Sequence, residues 1–195
     1  MKSLTVLVPI YNESRTLAEL VSQIDSMLSS VIAECIFIND GSTDNSGEIL
    51  TEALSSVSFK HQVITQANGG KSSAIKAGAK LVQSTHVIIL DADLELDTHD
   101  VVELWKVVQD GKAEVVFGYR HFLAQSAFTY RYAKGNLVIS NLYGLLFNEV
   151  VTDIMCGYKL VPTKFYKICR ISSKSLPLKL KFLFIFGSSA SDRMK

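Results

Sequence analysis

Cysteine is scarce in this chain and poorly placed for chemistry. The 195 residues hold three, Cys35, Cys156 and Cys169. That odd number, without a Cys-x-x-Cys spacing, argues against a disulfide framework or a zinc site and fits a reducing compartment. An excess of one charge is also missing. The formal net charge is +1, so nothing draws the whole chain to nucleic acid. No apolar run approaches the ~20 residues that cross a bilayer; the most apolar stretch near the C-terminus is Phe182-Leu183-Phe184-Ile185-Phe186. No signal-peptide pattern precedes the first strand. The histidines (His61, His86, His99, His121) lack ligand-like spacing and read as structural. Two nucleotide signatures fail as well. No Gly-x-Gly-x-x-Gly follows the first strand, which counts against NAD. Gly69-Gly70-Lys71-Ser72 lacks the first glycine of a P-loop, because Thr65 stands in its place.

What is present is an alternation of strands and helices. Hydrophobic content of 48% with 20% charged residues is ordinary for a globular domain with a sizeable core. Strand-like runs at 4–10, 35–38, 61–65, 86–90 and 114–117 are separated by helical patterns at about 16–28, 44–54, 72–82 and 100–108. Thr16-Leu17-Ala18-Glu19 fits a capping box at the first helix. Repeated β-α-β predicts an α/β fold with a mostly parallel sheet in three layers. After Tyr119 the pattern changes. Residues 133–147 are apolar at helical spacing, and 150–162 read as loop, strand and turn. The expected organisation is one domain over 1–167, divided into halves 1–118 and 119–167. Residues 168–195 carry six Lys/Arg against one acidic residue. They read as an atypical basic tail, truncated, frameshifted or membrane-adhering.

Chemistry-bearing residues fall at the ends of successive strands, where open α/β sheets bind ligands. The first strand ends Val8-Pro9-Ile10-Tyr11-Asn12-Glu13, and Pro9 turns the chain outward. Tyr11 can stack on a base and Glu13 can accept from a ribose or base; Asn12 or Ser14 capping the helix explains the same residues. The second ends Asn39-Asp40-Gly41-Ser42, able to hydrogen-bond a nucleobase and equally a turn composition. The third leads through Asn68-Gly69-Gly70-Lys71, and Lys71 at a helix N-terminus suits a diphosphate. The fourth ends Asp91-Ala92-Asp93. Residues i and i+2 of an extended chain share a side, so both carboxylates could meet one hard cation that also bridges diphosphate oxygens.

The ordered set resembles glycosyltransferase family 2, a Rossmann-like GT-A fold. It comprises Val8-Pro9-Ile10-Tyr11-Asn12-Glu13, Asn39-Asp40-Gly41-Ser42-x-Asp44, Asn68-x-Gly70-Lys71-x-x-Ala74-Ile75-x-x-Gly78 and Asp91-Ala92-Asp93-Leu94. Glu95, Val116-Phe117-Gly118-Tyr119-Arg120 and Thr152-Asp153-Ile154-Met155-Cys156-Gly157-Tyr158-Lys159 look most like its dolichol-phosphate mannosyltransferase and polyprenyl-phosphate sugar transferase branch. The resemblance implies that Pro9, Tyr11, Glu13, Asn39, Asp40, Lys71 and Asp91 hold a nucleoside-diphosphate sugar. Asn39 stands where many members have Asp. Asp91, Asp93 and Glu95 would hold Mg2+ or Mn2+, Glu95 replacing a frequent Gln. Arg120, Arg131 and Lys159 would meet the acceptor phosphate, Lys159 replacing a usual Arg and so acting as a point charge. Asp153 and Arg131 take the catalytic positions.

A phosphate acceptor also has a physical rationale. Its second pKa is about 6, so at neutral pH its oxygen is already a nucleophile, and the reaction needs cations more than a base. The implied activity is inverting, in-line transfer of a sugar from the nucleotide to a polyprenyl phosphate. It would serve cell-envelope biogenesis at the cytoplasmic face of a membrane, with peripheral attachment and a second copy or a membrane protein as further partner. Two rivals stand beside it: transfer to a sugar hydroxyl in surface-polysaccharide synthesis, and a nucleotide-sugar-binding remnant without turnover.

Overall fold

The computed structural model of the protein describes residues 1–119, 130–148, 150, 152–154 and 156–165, with the backbone alone at 130–132 and 147. Arg120 and the segment 168–195 therefore lie outside the described residues. The strands are β1 (Leu4–Ile10), β2 (Glu34–Asn39), β3 (His61–Thr65), β4 (His86–Ile89), β5 (Val116–Phe117) and β6 (Lys159–Pro162). The helices are α1 (Leu17–Gln23), running on as a π-helical turn over Ile24–Leu28, α2 (Ser46–Ala53), α3 (Lys71–Ala79), α4 (His99–Gln109) and α5 (Tyr130–Phe147).

The sheet order is β3-β2-β1-β4-β6-β5. Strands β1, β2, β3 and β4 pair in parallel, with Val6 opposite Cys35 and Ile88. β6 pairs antiparallel to both β4 and β5. The alternation in the sequence suggests 114–117 as one more strand of the parallel series. Instead β6, from far along the chain, fills the position beside β4 and pushes β5 to the edge.

The two-residue period of β1 distributes its side chains between two cores. Leu4, Val6, Val8 and Ile10 face one side, packed with Leu17, Leu20, Ile24, Leu50, Val101 and Trp105 from α1, its π turn, α2 and α4. Leu7 faces the other, with Ile36, Ile38, Ala74, Ile75 and Val87, beneath α3. Gly78 lets α3 lie close to the sheet, since a Cβ there would stand 2.8 Å from Ile38 Cδ1. His86 begins β4, away from the strand ends that carry the motifs, and packs edge-on to Trp105 at 5.4 Å.

The capping box at α1 does not form. Thr16 makes no side-chain cap bond; its hydroxyl donates to Ala92 O at 2.6 Å. The local Glu13 carbonyl is the longer partner at 3.3 Å, and the Ala92 carbonyl, beyond the end of β4, ties the first helix to the Asp91-Ala92-Asp93 turn.

Candidate active site

The parallel strands open at their C-terminal ends into a cleft of about 580 Å3. Its walls include Pro9, Tyr11, Glu13, Asp40, Lys71, Asp91, Asp93 and Glu95, all singled out from the sequence, together with Ile10, Asn68, Gly70, Ala74 and Ala92. Asn39 is not among them. Its Oδ1 accepts the Ser42 N–H at 2.9 Å and so fixes the turn after β2. Gly41 makes that turn possible at φ +70°, and a Cβ would stand 2.7 Å from the backbone nitrogen of Asn68.

Tyr11 and Glu13 are presented by two loops stitched together. Asn12, at φ +57°, accepts the Thr43 N–H at 2.8 Å, while the Glu13 N–H donates to Ser46 Oγ at 2.9 Å. Asp44 accepts from the N–H groups of Ser46 and Ser14. Against the opposing effect of burial, hydrogen bonds from Ser46 and Ser14 hold its carboxyl down at about 2. Asp40, buried in the cleft wall, accepts from Gln66 Nε2 at 2.5 Å and from the Gly69 N–H at 3.1 Å. The loop that leads into α3 is thereby fixed to the end of β2.

Asp91 and Asp93 do not lie on extended chain. β4 ends at Ile89 and the backbone turns at 92–93, with Leu94 at φ +58° and Asp93 Oδ1 accepting the Glu95 N–H at 3.0 Å. Both carboxylates still face the cleft. Burial, and after it the charge of Asp91, hold Asp93 above the ordinary carboxylate range, opposed by the Glu95 N–H and Lys71. Among the described residues no three His, Cys, Asp or Glu side chains gather around one point. Glu95 thus shares the wall with a carboxylate pair rather than closing a three-carboxylate cage. Two hard, mutually repelling carboxylates fit a divalent cation of the kind completed by substrate phosphates and water. Lys71 Nζ now stands 2.7 Å from Asp91 Oδ1.

The segment after α5 passes behind this pair. A Cβ on Gly157 would lie 3.1 Å from Asp91 Oδ2. Lys159 on β6 is buried, its ammonium donating to the Cys156 carbonyl. Burial pulls it down to about 8, opposed by Cys156 and Asp153. Asp153 is 4% exposed and Asn136 3%; Asn136 Nδ2 donates to Asp153 Oδ1 at 2.9 Å. Asn136, the partner of Asp153, was not singled out in the sequence. Its signal was the helical spacing of Asn136, Ser140 and Tyr143 along one face of a helix rich in apolar residues. Arg131 lies on α5 with its backbone alone described.

α5 is turned inside out relative to an ordinary surface helix. Asn136, Ser140 and Tyr143 are buried, while Leu137, Val138, Leu142, Leu145 and Leu146 are exposed, Leu145 at 82%. Among the described residues no helix is long and apolar enough to cross a membrane.

The profile described as Glycosyl transferase family 2 matches residues 5–168. An uncharacterized protein of Methanocaldococcus jannaschii is 23% identical over 172 residues, 83% of this chain and 72% of that protein. An undecaprenyl-phosphate 4-deoxy-4-formamido-L-arabinose transferase of Serratia proteamaculans is 35% identical over 114 residues, 57% of this chain and 35% of its own length. Glucosyl-3-phosphoglycerate synthase of Mycobacterium tuberculosis, crystallised with Mn2+, UDP-glucose and phosphoglyceric acid, superposes with a TM-score of 0.67. The overlap covers 84% of this chain and 58% of that one at 19% identity, a likeness of fold. The chain therefore spans 35% of the length of the lipid-phosphate relative and 58% of the mycobacterial enzyme.

Proposed function

For a chain that belongs to glycosyl transferase family 2, and is by fold and family a GT-A glycosyltransferase, we propose a narrower activity: inverting transfer of a sugar from a nucleoside diphosphate to a polyprenyl phosphate at the cytoplasmic face of a membrane. The observation that carries the acceptor half of this reading is α5. Its outward face is leucine-rich, with Lys134 and Asn141 also exposed, and its sequence, Tyr130–Phe147, contains Arg131 and Lys134 and no Asp or Glu. An apolar face with basic and no acidic charge suits the surface of an anionic bilayer, where a polyprenyl phosphate resides. The relative from Serratia proteamaculans, named for an undecaprenyl-phosphate substrate, points the same way.

In this reading Tyr11, Glu13 and Asp40 hold the nucleoside, with Asn39 acting on it through the turn it fixes. Lys71 and the N-terminus of α3 meet the diphosphate. Asp91 and Asp93, with Glu95 beside them, hold Mg2+ or Mn2+, whose charge when bound favours departure of the diphosphate. Arg120, Arg131 and Lys159 draw in the acceptor phosphate. An acceptor oxygen forms the new bond to the anomeric carbon as the bond to the diphosphate oxygen breaks, and that oxygen keeps the electron pair. The dianionic acceptor brings no proton to remove, so Asp153 orients and tunes it rather than serving as a base.

The test is transfer of radiolabelled sugar from UDP-glucose and GDP-mannose to detergent-solubilised undecaprenyl phosphate, with and without Mn2+. Labelled lipid that depends on Mn2+ is the expected product. Label on an oligosaccharide hydroxyl and none on the lipid assigns the enzyme to polysaccharide synthesis. Nucleotide binding with no product on either acceptor assigns the chain to binding without turnover.

A further inference from the structure

We infer that Lys71 occupies the cation position of the donor site while donor is absent, so that a divalent cation and a diphosphate are captured together rather than independently. This rests on the donor-site reading above. The Lys71 ammonium is 2.7 Å from Asp91 Oδ1, and the two side chains are 11% and 18% exposed. A pair so far out of water is screened far less than a surface ion pair. Lys71 is also the first residue of α3, the end that the aligned peptide dipoles of the helix leave positive. Ammonium and helix end both call for an anion, and Asp91 supplies it.

Asp91 Oδ1 is the oxygen that Lys71 holds, and Oδ2 faces Gly157, where a Cβ would stand 3.1 Å away. A divalent ion that approaches Asp91 alone competes with Lys71 for the carboxylate and adds positive charge beside a mostly buried ammonium and the positive end of a helix. A diphosphate resolves this, because it offers Lys71 and the α3 N-terminus a new anion in the place that suits one. Lys71 passes from carboxylate to phosphate, Asp91 from ammonium to cation, and every charge keeps a partner. Each ligand then tightens the other by the same factor.

Mn2+ binding to the full chain, read from loss of the free-ion electron paramagnetic resonance signal, separates this from simple diphosphate binding. UDP and, in parallel, GDP serve as the nucleotide. Wild type should bind Mn2+ weakly alone and about tenfold or more tightly with nucleotide. Lys71→Met should bind Mn2+ alone about tenfold more tightly than wild type, while metal-free nucleotide binding weakens. Lys71→Arg, which keeps the charge, should retain the weak metal binding of wild type. Lys71→Gln repeats the measurement should Lys71→Met melt early. Equal Mn2+ affinity of wild type and both neutral variants without nucleotide overturns the placeholder role and leaves the donor site standing. Absence of Mn2+ binding in every variant, with UDP or GDP present, defeats the donor-site reading itself.

Discussion

The two halves of the molecule arrange polar and apolar groups in opposite senses. In the first, apolar side chains fill two cores on either side of a parallel sheet, and the polar groups emerge at strand ends into one cleft. In α5 of the second, the buried face is Asn136, Ser140 and Tyr143 and the exposed face is leucine-rich. The first half keeps its apolar side chains inside the two cores, with its candidate chemistry at their edge. The second buries Asn136, Ser140 and Asp153 and leaves much of the apolar surface of α5 exposed, with Lys134 and Asn141 beside it.

The sharpest way to break the comparison is to disable each half separately. Asp91→Asn should lower turnover about a thousandfold, because it removes charge where the diphosphate departs, and should also lower the melting temperature, because it takes the carboxylate from the mostly buried Lys71 ammonium. In the second half, Arg131→Ala should cost about a hundredfold and Asp153→Asn about tenfold with a lipid phosphate acceptor. The reverse order, with Asp153→Asn abolishing transfer and Arg131→Ala barely felt, identifies a hydroxyl acceptor that needs a base. Replacing Leu145 and Leu146 together by Glu should reduce sedimentation with phosphatidylglycerol vesicles about tenfold. Mn2+-dependent UDP binding in the same variant should be unchanged. Vesicle binding that survives this change removes the case for α5 as the membrane face.

The same division governs what could be read from the sequence. Strands and helices of the first half fall within a few residues of their expected limits, and the third strand, 61–65, is matched end to end, because burial there follows the simple periods of strand and helix. Residues at strand ends could be assigned to one cleft because parallel topology puts them there. Bonds between segments distant in sequence could not be seen. Thr16 satisfies the capping-box pattern yet donates to Ala92 O; Asn39 resembles a base-binding residue yet fixes its own turn. The insertion of β6 beside β4 follows from chain path rather than local pattern. α5 was legible as a helix, but apolar spacing does not say which face is turned inward.

Asn136 tests whether the buried polar stripe is functional. Asn136→Ala removes the hydrogen bond to Asp153 and leaves a buried carboxylate oxygen short of a donor, so stability should fall by about 1–3 kcal/mol in urea melts. Asn136→Asp places a second carboxylate against Asp153 and should destabilise further at neutral pH, through repulsion between like charges. Equal stability of both variants at pH 7 contradicts the bond.

The smallest expected effect is at Lys159, where function and stability should move in opposite directions with pH. Burial holds its ammonium at about 8 rather than the usual 10.5. Between those values the unfolded chain binds the proton and the folded chain does not, so folding stability rises with pH across that window. Any attraction of Lys159 for an acceptor phosphate is lost over the same window, because the charge is gone. Wild-type kcat/KM for lipid phosphate should therefore fall a few-fold above pH 8 while the melting temperature holds or rises. Lys159→Arg keeps its charge throughout and should remove the fall. A decline in kcat/KM that tracks a decline in melting temperature would instead mark unfolding, and would separate Lys159 from the acceptor.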